Sequence, residues 1–349
     1  MAFLGSAVRR IRAEVSEQLG LYARMRSRLD GTRAAILMYH RVLPDERALE
    51  LAVEPGMYVT PETFARHLDW LCERFCVLSL GELANRLEAG APLPLQSCAI
   101  TFDDGWRDNW QYVLPALRRR SLPATVFVVA ERMDSLGAFW PDEVSRRFRA
   151  LEPEQQRSLA ACFGLEKARN PAQETLARFK GYSEEQRDEA LARMREFTKN
   201  LDLPQERELM TWQEADQMAA GGVEIESHGL THALMTGFPP DRLERELRES
   251  RRILREHGHG LRGFLAYPNG NHDRSVRTLA RECGYGLAVT TERGLAHAET
   301  PRMALPRLGL HQDISGSRAE FHRIVPGSGL HRGRPGPPRR PTNRSRRRS

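Results

Sequence analysis

Cys98-Ala99-Ile100-Thr101-Phe102-Asp103-Asp104-Gly105 starts as a short apolar run and ends in two carboxylates and a glycine. The run reads as a buried strand, so the carboxylates sit where the strand gives out and Gly105 permits the turn. Val223-Glu224-Ile225-Glu226-Ser227 has the same form, and it delivers His228 and His232 to a second strand end. In an α/β barrel the carboxyl ends of the strands converge on one face, where residues from different strands meet. One carboxylate and two imidazoles make three protein ligands. With a fourth position left for water, that is the composition of a catalytic zinc site rather than a structural one.

Each motif alone has an ordinary explanation. Asp-Asp-Gly after a strand is a common turn, because Asp and Gly tolerate turn geometry. His-x-x-x-His arises by chance on many surfaces. Both motifs following apolar strands, in one chain of α/β pattern, make a site the better reading.

Outward from these two runs the pattern repeats. Strands are expected at 35–39, 98–102, 124–130, 223–227, 263–267, 286–290 and 304–310, with amphipathic helices at 61–75, 108–120, 212–220, 241–257 and 273–283. This is an α/β chain, read as a distorted or incomplete (β/α) barrel of about seven strands. An open doubly wound sheet is the alternative, but no Gly-rich phosphate loop follows the first strand. From 141 to 209 the alternation is interrupted by a polar helical insertion, broken at Pro153, Gly164, Pro171 and Gly181. The expected organisation is an N-terminal helical extension (1–33), a catalytic domain (34–326) carrying the insertion, and an Arg/Pro-rich tail (327–349). Trp106, Trp110 and Trp140 are the aromatics nearest the site and candidates for substrate contact or for packing.

Thr101-Phe102-Asp103-Asp104-Gly105, His228-Gly229-Leu230-Thr231-His232 and Phe264-Leu265-Ala266-Tyr267-Pro268-Asn269-Gly270 resemble the first three motifs of the NodB-like polysaccharide deacetylases, carbohydrate esterase family 4. Met38-Tyr39-His40-Arg41-Val42, 58–64 and 210–212 are similar to the exopolysaccharide-associated branch. The resemblance spans about 35–314. It implies a barrel fold and metal-dependent hydrolysis of the N-acetyl group of an N-acetylhexosamine, in a polysaccharide or lipid-linked oligosaccharide, with release of acetate. It implies Asp103 as general base and Asp104, His228 and His232 as metal ligands. Zinc is the expected ion, with cobalt, nickel or manganese also suited to such a set. The backbone N–H of Tyr267 would help hold the oxyanion.

The sequence departs from the family where an Arg normally precedes the Pro by two residues, since Ala266 stands there, and Asn269 replaces a Tyr. No clear fourth motif is present, and Gly309-Leu310-His311 only approximates the fifth. His40 and His311 therefore compete as general acid, with His40 favoured by its position at the end of the first strand. Other functions weighed are hydrolysis of another small amide and a silent carbohydrate-binding role in an export assembly. An unligated Asp103 beside the ligand set argues against silence.

The formal charge of +7 is misleading, because eight arginines lie in 327–349 and the rest of the chain sums to −1. That tail cannot bury apolar surface and is expected to be disordered, with no specific nucleic-acid partner. Five cysteines without a Cys-x-x-Cys pair read as reduced core residues. No signal-peptide-like or membrane-spanning run is seen, which points to the cytoplasm; a basic amphipathic stretch within 8–29 is a candidate either for peripheral membrane contact or for a helix packed on the protein or a partner.

Overall fold

The computed structural model describes residues 14–15 and 29–325, apart from 138 and 204–205. The N-terminal extension and the Arg-rich tail thus lie almost wholly outside the described residues.

Seven strands follow the apolar runs closely. They are β1 (Arg33–Tyr39), β2 (Ser97–Phe102), β3 (Ala124–Val128), β4 (Val223–Ser227), β5 (Phe264–Ala266), β6 (Leu287–Arg293) and β7 (Leu305–Gly309). Neighbouring strands pair in parallel in the order β1-β7-β6-β5-β4-β3-β2, and β2 returns to pair with β1 from Ala35↔Cys98 to Tyr39↔Phe102. The ring is closed, so the fold is a (β/α) barrel of seven strands rather than an open sheet. Closure removes the free edges that an open sheet would expose.

The two-residue alternation of the strands sorts side chains between two apolar clusters. Ile36, Ala99, Phe127, Ala266, Val289 and Leu305 meet in one cluster, to which every barrel strand but β4 contributes, marking the interior. Leu37, Cys98, Ile100, Phe102, Val126, Ile225 and Leu308 face outward into the layer beneath the helices. By the same count Asp103 continues the inward face of Ala99, and Arg307 that of Leu305.

The helices start where local chemistry allows. Thr60 accepts from the N–H of Thr63 ahead of Pro61–Arg74, and Thr211 and Glu214 form a capping box on Trp212–Ala220. The helix expected at 108–120 is a π-helical turn, Asn109–Val113, running into Leu114–Arg118. Pro115 lacks the N–H that would close the regular ladder there.

The insertion contains helices Trp140–Arg149, Pro153–Ala161, Pro171–Lys180 and Glu184–Phe197. They share their own apolar centre, including Phe148, Leu159, Phe179 and Met194. The cysteines are all free, but Cys72 and Cys162 are exposed rather than in the core. Among the described residues no helix is long and apolar enough to cross a membrane.

Candidate metal centre

Asp104 follows β2 with φ +78°, and His232 lies beyond β4 with φ +69°. Both are left-handed conformations that non-glycine residues adopt at a cost, and such outliers concentrate at working sites. Gly105 continues the turn at φ +78°, where a Cβ would meet the Val128 side chain at 3.0 Å. The loop holding His232 is pinned by Glu246, whose Oε1 accepts from the N–H groups of Leu230 at 2.8 Å and Thr231 at 2.9 Å. Ser250 donates to the carbonyl of Gly229 at 2.9 Å.

These constraints bring the three residues together. Asp104 Oδ1 lies 3.3 Å from His228 Nε2 and 3.2 Å from His232 Nε2. One donor atom from each lies within 4.8 Å of the others. His228 Nδ1 is 2.8 Å from the carbonyl of Ala266, which can only accept, so this nitrogen carries the proton. When the ring is neutral, its Nε2 lone pair is turned toward the carboxylate, and electron-rich atoms converge in a buried place. That convergence fits a divalent cation.

Burial works against the charge of Asp104, but the two imidazoles outweigh it and hold its carboxyl well below the usual carboxylate range. For His228 burial favours the neutral ring, yet Asp104 and Asp103 raise its pKa above the ordinary imidazole value.

Asp103 faces elsewhere. Arg307, from β7, binds it with both arms, Nη1 to Oδ1 at 2.7 Å and Nη2 to Oδ2 at 2.6 Å. Burial of Asp103 is overcome by this guanidinium and by His228, so its pKa is lowered. Arg307 is itself 1% exposed, and its Nε donates to the carbonyl of Thr290 at 2.8 Å. It supplies the partner that the sequence lacks at Ala266. The only sequence signal was its place on the inward face of the last strand, a face that has no reading until the barrel closes.

His40 lies close enough to feel both aspartates, Arg307 and His228; burial, the largest influence, lowers its pKa despite the carboxylates. Asn109 Nδ2 donates to its carbonyl at 2.9 Å. His311 is a quarter exposed and bonds Asp313 through Nδ1.

Tyr267 departs from the expectation of an oxyanion donor. Its N–H is directed to the carbonyl of Val289 at 3.3 Å, extending the β5–β6 pairing, and its hydroxyl donates to the carbonyl of Met303 at 3.0 Å. An N–H committed to the sheet is not free to hold an oxyanion. Trp106 departs from the expectation of a sugar platform, because it is buried and donates from Nε1 to Asp104 Oδ2 at 2.8 Å. Trp110 reaches Gln217, and Trp140 packs on Phe179 in the insertion. Phe139, unremarkable in the sequence, lies tilted against the His232 ring with centroids 4.5 Å apart.

Known proteins resemble this chain in sequence and fold at low identity. The chain is 22% identical over 283 residues to YxkH, a candidate polysaccharide deacetylase of Bacillus subtilis strain 168, covering 81% of this chain and 73% of that protein. Its fold resembles the Streptococcus pyogenes deacetylase PplD in complex with acetate, with TM-score 0.57 and 18% identity over 84% of this chain and 98% of that one. It also resembles IcaB from Ammonifex degensii, with TM-score 0.53 and 20% identity over 83% and 97%. The polysaccharide deacetylase profile matches residues 91–162 and 165–288, which include Asp103, Asp104, His228 and His232 and make up more than half of the chain. The match over more than half of the chain supports a deacetylase hydrolase, and the chain belongs to the polysaccharide deacetylase family.

Proposed function

We propose that the protein removes the acetyl group from an N-acetylhexosamine unit of a polysaccharide or lipid-linked oligosaccharide, with a divalent metal held by Asp104, His228 and His232. The observation that carries this reading is the division of labour between adjacent carboxylates. Asp104 faces two imidazoles, while Asp103 is turned aside and clasped by Arg307. A ligand beside a separate base suits metal-assisted amide hydrolysis.

When bound, the metal, zinc by the character of the ligands, would acidify water and polarise the acetyl carbonyl. Asp103 is kept ionised by Arg307 and accepts the proton of the attacking water as its oxygen joins the acetyl carbon. The C–N bond then breaks, the sugar nitrogen takes a proton from His40, and acetate leaves. His40 is preferred to His311 because it lies within the electrostatic reach of both aspartates, whereas His311 is turned to Asp313.

The test is acetate release from N-acetylglucosamine oligomers by the purified protein, first stripped with chelator and then reloaded with zinc, cobalt, nickel or manganese. Metal-dependent acetate release is expected. Metal-independent release, or none with any ion, would overturn the proposal.

A further inference from the structure

The side chains behind Asp104 form a continuous stack that the reaction itself does not use. Trp106 is 1% exposed and spends its only polar atom on Asp104, with Nε1 donating to Oδ2 at 2.8 Å. The other carboxylate oxygen, Oδ1, is the one facing both histidines. The guanidinium of Arg41 lies over the indole face, 3.9 Å from the ring centroid. Arg41 is anchored by Asp108 through Nε and by Glu208 through Nη1, each at 2.9 Å. Glu208 stands at the end of the helical insertion and also pairs with Arg146 inside it. Phe139, at the start of the insertion, meets the indole edge-on at 5.3 Å and the His232 ring at 4.5 Å.

A carboxylate can offer a cation one oxygen or two. A hydrogen bond from a fixed indole N–H fixes the carboxyl plane and occupies electron density on Oδ2, leaving Oδ1 as the better donor. A cation on the indole face is attracted by the ring and also draws electron density from it, which makes the N–H a stronger donor. We infer that Trp106 is a positioning residue that commits Asp104 to ligate through Oδ1 alone, and that Arg41 and Phe139 hold the indole in that pose. One-point ligation keeps more of the ion's coordination sphere open for water and the acetyl carbonyl. The helical insertion thereby becomes part of the metal site without supplying a ligand.

This inference rests on the proposed metal site, and the two can fail separately. Zinc affinity is measured by chelator competition for the wild type, Trp106→Phe and Trp110→Phe. Trp110 donates to Gln217 and serves as the control. Trp106→Phe is expected to bind zinc about 10–100-fold more weakly, with Trp110→Phe unchanged. The cobalt form of Trp106→Phe is expected to lose visible absorption intensity as the freed Oδ2 joins the coordination sphere. Wild-type protein that binds neither ion would overturn the metal site itself. Zinc affinity and a cobalt spectrum unaltered in Trp106→Phe would overturn the role of Trp106 alone. A second measurement needs no variant. Among the five tryptophan indole N–H resonances of nitrogen-15-labelled wild type, one protected signal should move when zinc is added, and zinc binding that moves none overturns the inference.

Discussion

Arg307 and Asp103 are 204 positions apart in the chain, yet they form a two-point ion pair, at 2.7 and 2.6 Å, that is almost wholly shielded from solvent. The arginine lies on the last barrel strand and the aspartate at the end of the second, so the pair exists only because the ring closes through β1. Removing one partner of such a buried pair typically costs about 3–5 kcal/mol. The conservative change is therefore more informative. Arg307→Lys keeps the charge but loses the fork, and kcat is expected to fall roughly 10²-fold through misplacement of the base. Because burial pushes the Asp103 pKa up and Arg307 pulls it down, the acid limb of the pH–rate profile should move to higher pH. An unmoved acid limb would show that Asp103 does not need this partner.

Asp103→Asn tests the base directly. It keeps the shape of the site and a partial partner for Arg307, and it is expected to lower kcat by ~10²–10⁴-fold. Zinc content, read by elemental analysis, should stay at the wild-type level. Loss of zinc along with activity would instead make Asp103 a ligand.

His228→Ala combined with His232→Ala should abolish metal binding with the fold preserved. Both histidines lie in the loop after β4, and that loop is pinned independently by Glu246 and Ser250. Circular dichroism and elemental analysis on the same sample decide the matter, and full metal in the folded double variant would mean that the ligands are misassigned.

The general acid is tested by comparing His40→Ala with His311→Ala. An acid works only in its protonated form, and burial lowers the His40 pKa. The alkaline limb of the wild-type profile should therefore lie below the ordinary imidazole value. His40→Ala is expected to lower kcat and erase that limb at full metal loading, with a smaller effect in His311→Ala. The reverse ranking would assign the proton to His311.

His67 sets a pH dependence of stability away from the site. It is fully buried, with Nε2 donating to the carbonyl of Ser315 at 2.7 Å and Nδ1 accepting from the Tyr39 hydroxyl at 3.1 Å. Burial, the dominant influence, lowers its pKa from 6.5 to about 4. Below pH 6.5 the unfolded chain binds a proton that the folded one refuses, so stability falls with pH until about 4. At ~1.4 kcal/mol per unit the loss is on the order of 3 kcal/mol. Urea titrations across this range should show that slope in the wild type and a shallower one in His67→Gln. Equal slopes would place the titration elsewhere.

The strands and the meeting of Asp104, His228 and His232 were legible in the residues because they depend on local regularities. Apolar runs of four to six residues mark buried parallel strands, and Asp103-Asp104-Gly105 and His228 to His232 advertise themselves by position at strand ends. What only the tertiary structure decided was each side chain's partner. With Ala266 where the family places an arginine, the sequence shows no partner for Asp103, and Arg307 could be recognised as that partner only once β1 joined β2 to β7. Trp106 read as a candidate sugar platform, yet folding buried its ring and turned its N–H onto Asp104. The positive φ of Asp104 and His232, and the approach of Phe139 to His232, likewise have no sequence period. Periodicity reports which face a residue occupies, whereas contact across a closed barrel depends on strands far apart in the chain, and that information resides in the packing.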